Sequence, residues 1–211
     1  MKTIKLLSQL EIVNAVLTTN ALRKNDQVFL QQGTMDGACG PYCIFMALII
    51  LGVVNFEEAT NLWVIDKRTR IGKLVKGMRA HSTLFEAGTH LNELETLIQQ
   101  SFKAEIVVDI NIGKGKSVID YTIQNLKTNK PVVVGVIGKG LSHWLLAIGF
   151  EEDENGVATK ILFLDPSGNS NSNYFNAIIG VNKTYHGYPY QWLDREDTYI
   201  KFDDAMSLSL L

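Results

Sequence analysis

The chain has 211 residues, 46% of them hydrophobic and 20% charged, proportions of ordinary globular domains rather than of disordered chains. Twenty basic against twenty-two acidic residues leave a formal charge of -2, so no global field draws the protein onto nucleic acid or an anionic bilayer. The most apolar run, Tyr42 to Val54, is short of the ~20 residues that a bilayer crossing needs.

At the N-terminus Lys2 and Lys5 precede an apolar segment, but Ser8, Gln9, Glu11 and Asn14 interrupt it where the core of a signal peptide belongs. Leu6, Leu7, Leu10, Val13 and Leu17 recur at helical spacing, which predicts an amphipathic helix. The expected location is the cytoplasm, or outside it by a route without a cleaved signal. Gln27 to Gln31 reads as a short strand, followed by a turn-rich segment from Gly33 to Gly37. Cys39-Gly40-Pro41 then opens a strongly apolar run, and a buried helix is expected over Tyr42–Leu51, ending at Gly52. Proline is tolerated at a helix opening because the first N–H groups have no partner within the helix. Asn55 is the expected cap of a second helix from Glu57 to about Asp66.

Lys67 to Arg79 carries six basic residues and no acidic ones, and reads as a solvated face or loop. Thr89 is the expected N-cap of a helix from His90 to Ser101, with Glu93 near the capping-box position. A strand over Ala104–Asp109, a helix over Val118–Leu126 and a strand over Pro131–Ile137 follow. Ser142–Phe150 and Thr159–Leu164 flank a polar turn containing Asn155-Gly156, a strong hairpin signal. A Gly/Asn/Ser loop from Ser167 to Asn173, a tyrosine-rich stretch and a last strand over Asp197–Phe202 complete the chain. Helices first and sheet later is an α+β pattern.

The candidate chemistry starts from the two cysteines, Cys39 and Cys43, which are too few for a disulfide framework. Cys39 lies at the mouth of the apolar helix, where the helix dipole favours a thiolate. Cys43, one turn deeper, reads as a packed core residue. His143 opens an apolar strand, and Asp165 ends its hairpin partner. Pairing the two strands brings the carboxylate beside the imidazole, where it can hold one ring nitrogen while the other faces a thiol. Gln32 is the candidate oxyanion donor together with the Cys39 N–H, with Gln31 an equally placed neighbour.

Gln32, Cys39-Gly40-Pro41, the run from His143 to Gly149 and Leu164-Asp165-Pro166 together resemble the papain-like cysteine peptidases, and are most similar to the C39-like branch. The resemblance spans about residues 28–170. It implies Cys39 as nucleophile, His143 as base, Asp165 as the orienting acid and Gln32 in the oxyanion hole. It also implies a single domain over 1–211, with a helical lobe (about 1–103) packed on an antiparallel sheet lobe (about 104–211). The expected activity is a thiol hydrolase of peptide or isopeptide bonds acting on a peptide or protein, with no metal, organic cofactor, nucleic acid or membrane. The chain departs from the family in four places: the gap from Gln32 to Cys39 is one longer than usual, Ala38 stands where relatives often carry Asp, and the insertion from Lys67 to Ala87 and the aromatic tail beyond Asn173 have no counterpart in it.

The same triad serves an acyltransferase, a transglutaminase-like enzyme or a glutamine deamidase, for example in a bacterial effector or toxin, because only the second nucleophile differs. A third reading is a binding module whose Lys67–Arg79 segment contacts a phosphate or acidic partner. Zinc on Cys39, Cys43 and His143 lacks the paired spacing of structural sites. Tyr185, His186, Tyr188, Tyr190 and Trp192 read either as a substrate-facing wall or as cover for a small core. His81, His90 and His186 read as structural or surface residues.

Overall fold

The computed structural model describes residues 1–33, 37–62, 65–80, 88–168, 174–183 and 187–211. Three short strands open the chain: β1 (Thr3–Leu6), β2 (Leu10–Val13) and β3 (Val16–Thr19). The predicted N-terminal helix is therefore not formed. Asn14 and Ala15 both take positive φ (50° and 63°), so β2 and β3 close on a two-residue turn with Val13 opposite Val16. Both central residues of a type I′ turn need that conformation, and its twist matches the strands. Ile12, Val13, Val16, Thr18 and Thr19 are β-branched and suit a pleated surface better than a helix. The expected strand at Gln27–Gln31 shrinks to β4 (Asp26–Gln27), although Val28 and Leu30 remain buried.

Helix α1 (Cys39–Ile50) is apolar on every side, as a helix enclosed by the rest of the fold must be, and all its residues but Tyr42 are buried. Gly52 ends it at φ 71°, with Gly52 N–H donating to Ile49 O and Val53 N–H to Leu48 O, both at 3.0 Å. This is the Schellman arrangement, which glycine adopts without steric cost. Helix α2 (Phe56–Thr60) is capped by Asn55 and Glu58 reciprocally, but ends well before Asp66. Most of the basic segment is helical rather than loop: α3 (Arg70–Ala80) buries Gly72, Leu74, Val75 and Met78 on one face. Helix α4 (Leu91–Phe102) takes His90, not Thr89, as its N-cap, with Glu93 completing the capping box. Residues 81–87, including His81, lie outside the described residues.

The second half supplies β5 (Ile106–Asn111), α5 (Lys116–Lys127), β6 (Val132–Gly138), β7 (Leu141–Glu152), β8 (Ala158–Leu164), β9 (Ala177–Gly180), β10 (Tyr190–Gln191) and β11 (Tyr199–Leu210). The last strand thus runs eight residues beyond the expected Phe202. An eight-stranded antiparallel sheet has the order β10-β11-β6-β7-β8-β9. β5 extends one edge of β11 and β1 lies against the far end of β7. A division into a helical lobe at 1–103 and a sheet lobe after it therefore does not hold, because β1 is a strand of the main sheet. Helices α1 and α5 both pack on β6 and β7. Six of the seven β6 residues are buried, as expected of a strand covered on both faces. The buried apolar residues of helices and sheet form one contiguous cluster. Among the described residues no helix is long and apolar enough to cross a membrane.

Candidate active site

Cys39 is the first residue of α1, and the backbone around it is unusually close-packed. A Cβ on Gly40 would lie 2.3 Å from Thr89 Oγ1 and 3.0 Å from both Leu94 methyl carbons, so only glycine lets α1 meet the segment that leads into α4. The Thr89 carbonyl accepts a 2.7 Å hydrogen bond from Trp144 Nε1, and the Trp144 carbonyl lies 3.5 Å from the Cys43 thiol. The opening of α1, the approach to α4 and the start of β7 are thereby stitched together around Trp144, the neighbour of His143.

His143 is set by the sheet. It pairs with Val136 of β6, and on the other side the β7–β8 register puts Leu146 opposite Leu164. The residues that follow, Asp165 to Ser167, consequently come alongside His143. His143 Nε2 lies 2.7 Å from Asp165 Oδ1. Cys39 is the other reactive group close to the ring, near enough to favour its charged form. Cys39, His143 and Asp165 are all buried, Asp165 completely.

Burial costs a carboxylate dearly unless hydrogen bonds replace its water, and Asp165 has a full set. Oδ1 also accepts from the Ser167 N–H and Ser167 Oγ, both at 2.8 Å, and Oδ2 accepts from Arg195 Nη2 at 2.5 Å. Burial pushes the Asp165 carboxyl up, but hydrogen bonds from His143 and Ser167 and the charges of His143 and Arg195 hold it below the usual carboxylate value. For His143, burial opposes the charged ring; the hydrogen-bonded Asp165 carboxylate and the nearby Cys39 sulfur outweigh it and raise its pKa to about 9. Cys43 is different, since burial pushes its thiol well above the ordinary value.

Gln32 is tied to the same place, its N–H donating to Pro166 O at 2.7 Å, whereas Gln31 is exposed. Tyr190 and Trp192 do not form an exposed wall: both are fully buried core residues. Tyr188 is half-buried beneath the Lys201 ammonium, and Tyr185 and His186 lie outside the described residues. His90 is an exposed helix cap. Within the basic segment Arg68 pairs with Asp66 and Arg70 with Glu105, so its charge is partly neutralised locally. No group of three or more metal-ligating side chains converges among the described residues.

Sequence reasoning missed Ser167, Asn176 and Arg195. Ser167 has a local signal, because an aspartate commonly accepts from the N–H two residues on. Arg195 stands thirty residues from Asp165 and has none.

The chain is thus a mixed protein of helices and antiparallel sheet with a cysteine, a histidine and an aspartate gathered at the junction of the two. No protein-family model and no curated protein matches it. Among solved structures it is similar to the "Crystal structure of UfSP from C.elegans", with a TM-score of 0.46 and 12% identity over 98% of this chain. The match takes in 35% of the other chain, so the present chain spans about a third of its length. What this chain does is therefore read from its own site.

Proposed function

We propose that the chain is a thiol-dependent hydrolase of peptide or isopeptide bonds, of the papain-like and most nearly the C39-like kind, working as a single domain. The observation that carries this reading is the position of His143, whose Nε2 lies 2.7 Å from Asp165 Oδ1 while Cys39, at the opening of α1, is near enough to favour the charged ring. In this reading the Cys39 thiolate attacks the substrate carbonyl, forming a C–S bond, while the His143 imidazolium gives its proton to the departing amine. Water then attacks the thioester with His143 as base, releasing the acid and restoring the thiolate. Asp165 fixes the ring's tautomer and orientation. Gln32 and the Cys39 N–H are the proposed donors to the developing oxyanion, supported by the link from Gln32 to Pro166.

Iodoacetamide labelling at mildly acidic pH tests the thiol, with Cys39 expected to react much faster than Cys43. Incubation with a peptide library, with and without an added amine, tests the reaction. New termini read by mass spectrometry support hydrolysis. A one-dalton gain at glutamine or an amine adduct instead assigns the site to deamidation or acyl transfer. Cys39→Ala is expected to abolish turnover while leaving the denaturation midpoint near that of the parent.

A further inference from the structure

If His143 passes between imidazolium and neutral imidazole, Asp165 loses the cation it faces at one stage of each cycle. A completely buried carboxylate without a counter-charge is strongly unfavourable. A second cation is already present. Arg195 Nη2 donates to Asp165 Oδ2 at 2.5 Å, on the oxygen that His143 does not use. The guanidinium carbon lies 4.2 Å from the centre of the Trp192 ring, and Trp192 is fully buried. The turn carrying Arg195 is itself pinned: Arg195 N–H donates to Trp192 O at 3.2 Å, Leu193 N–H to Ile178 O at 2.8 Å, and Ile178 N–H to Asp194 Oδ1 at 2.6 Å. Stacking on the indole and anchoring to β9 hold a long, otherwise mobile side chain in one geometry.

We propose that Arg195 is a positioning residue of this site: it keeps Asp165 ionised and aimed at His143 while the imidazole is neutral, and so sets how readily the ring releases its proton. Its importance for turnover rests on the thiol-hydrolase reading, whereas the charge coupling does not. The groups facing His143 are Asp165 and Ser167 from the turn after β8 and Cys39 from the first turn of α1; Cys43, deeper in α1, is held protonated by burial. Without the Arg195 charge, imidazolium becomes the only cation beside Asp165 among the described residues, and the ring keeps its proton to higher pH.

The test is the titration of the His143 ring followed by NMR in the full chain, which needs no substrate, beside the pH profile of kcat/KM. Arg195→Gln is expected to move the His143 midpoint upward by about one pH unit, the lower end of the effect of a neighbouring charge, and to move the alkaline limb of kcat/KM with it. Arg195→Lys, which keeps the charge but not the plane, is expected to titrate near the parent. An unmoved or lowered midpoint in Arg195→Gln overturns the proposal, even if that variant is less stable. Equal upward shifts in both variants also overturn it, because the charge would then not be the cause. If the parent chain hydrolyses no peptide while Arg195→Gln still raises the midpoint, the hydrolase reading falls and the coupling stands.

Discussion

Asn176 clamps the main chain of Asp165 at both ends: its Oδ1 accepts from the Asp165 N–H at 2.6 Å, and its Nδ2 donates to the Asp165 carbonyl at 2.8 Å. Asn176 is itself anchored, since its N–H donates to Phe163 O at 3.1 Å. The clamp replaces the strand pairing that Asp165 loses where β8 ends. Asn176→Ala leaves the buried Asp165 N–H without its partner, while the Asp165 carbonyl still accepts from the Gly168 N–H at 3.0 Å, so the loss is about 1–3 kcal/mol. It is expected to lower the urea midpoint at unchanged slope, and to slow any Cys39-dependent hydrolysis. A variant as stable as the parent would show that the clamp contributes nothing.

Gly40→Ala tests the close packing at the opening of α1. Its methyl would stand 2.3 Å from Thr89 Oγ1, with both Leu94 methyl carbons at 3.0 Å, so the approach to α4 has to move. Overpacking of this kind costs about 1–3 kcal/mol. The same shift disturbs the Thr89–Trp144 hydrogen bond beside His143. A lowered thermal midpoint together with slower alkylation of Cys39 is expected. Loss of stability with unchanged alkylation would separate the packing from the site.

The pH dependence follows from two groups displaced in opposite directions. The His143 pKa is raised to about 9, so its contribution to stability is complete below the unfolded-state value of about 6.5 and disappears as pH rises through about 9. Asp165 is held below its ordinary value, so its contribution is present above about pH 4 and is lost as pH falls through the lower folded value. The stabilisation from this pair is thus greatest between about pH 4 and 6.5. The difference in thermal midpoint between the parent and His143→Gln is expected to be widest there and to narrow towards pH 9. A difference constant over that range contradicts the raised imidazole. If His143 supplies the leaving-group proton, kcat/KM also falls on its alkaline side near pH 9.

Much of the site was legible in the chain because it rests on short-range patterns. An apolar run between Pro41 and Gly52 specifies a buried helix with Cys39 at its opening. Two apolar strands about Asn155-Gly156 specify a hairpin, and the antiparallel register then carries Asp165 to His143. The N-terminal segment misled because its leucines match a helical period, while the signal that prevailed lay in β-branched residues flanking Asn14-Ala15, a turn less marked than Asn-Gly. His90 displaced Thr89 as the cap of α4, since the Thr89 carbonyl and hydroxyl face Trp144 and Gly40.

Local order along the chain was enough to set which residues enter α1, β7 and β8 and so where the three side chains of the candidate site stand along those elements, because helix and hairpin geometry depend on neighbours a few residues apart. The docking of β1 onto β7, the stacking of Arg195 on Trp192 and the hold of Asn176 on Asp165 depended on the assembled molecule. Each joins segments well separated in sequence or in different strands, and a contact of that kind forms only when burial of the shared core brings those segments together, so no local pattern encodes it.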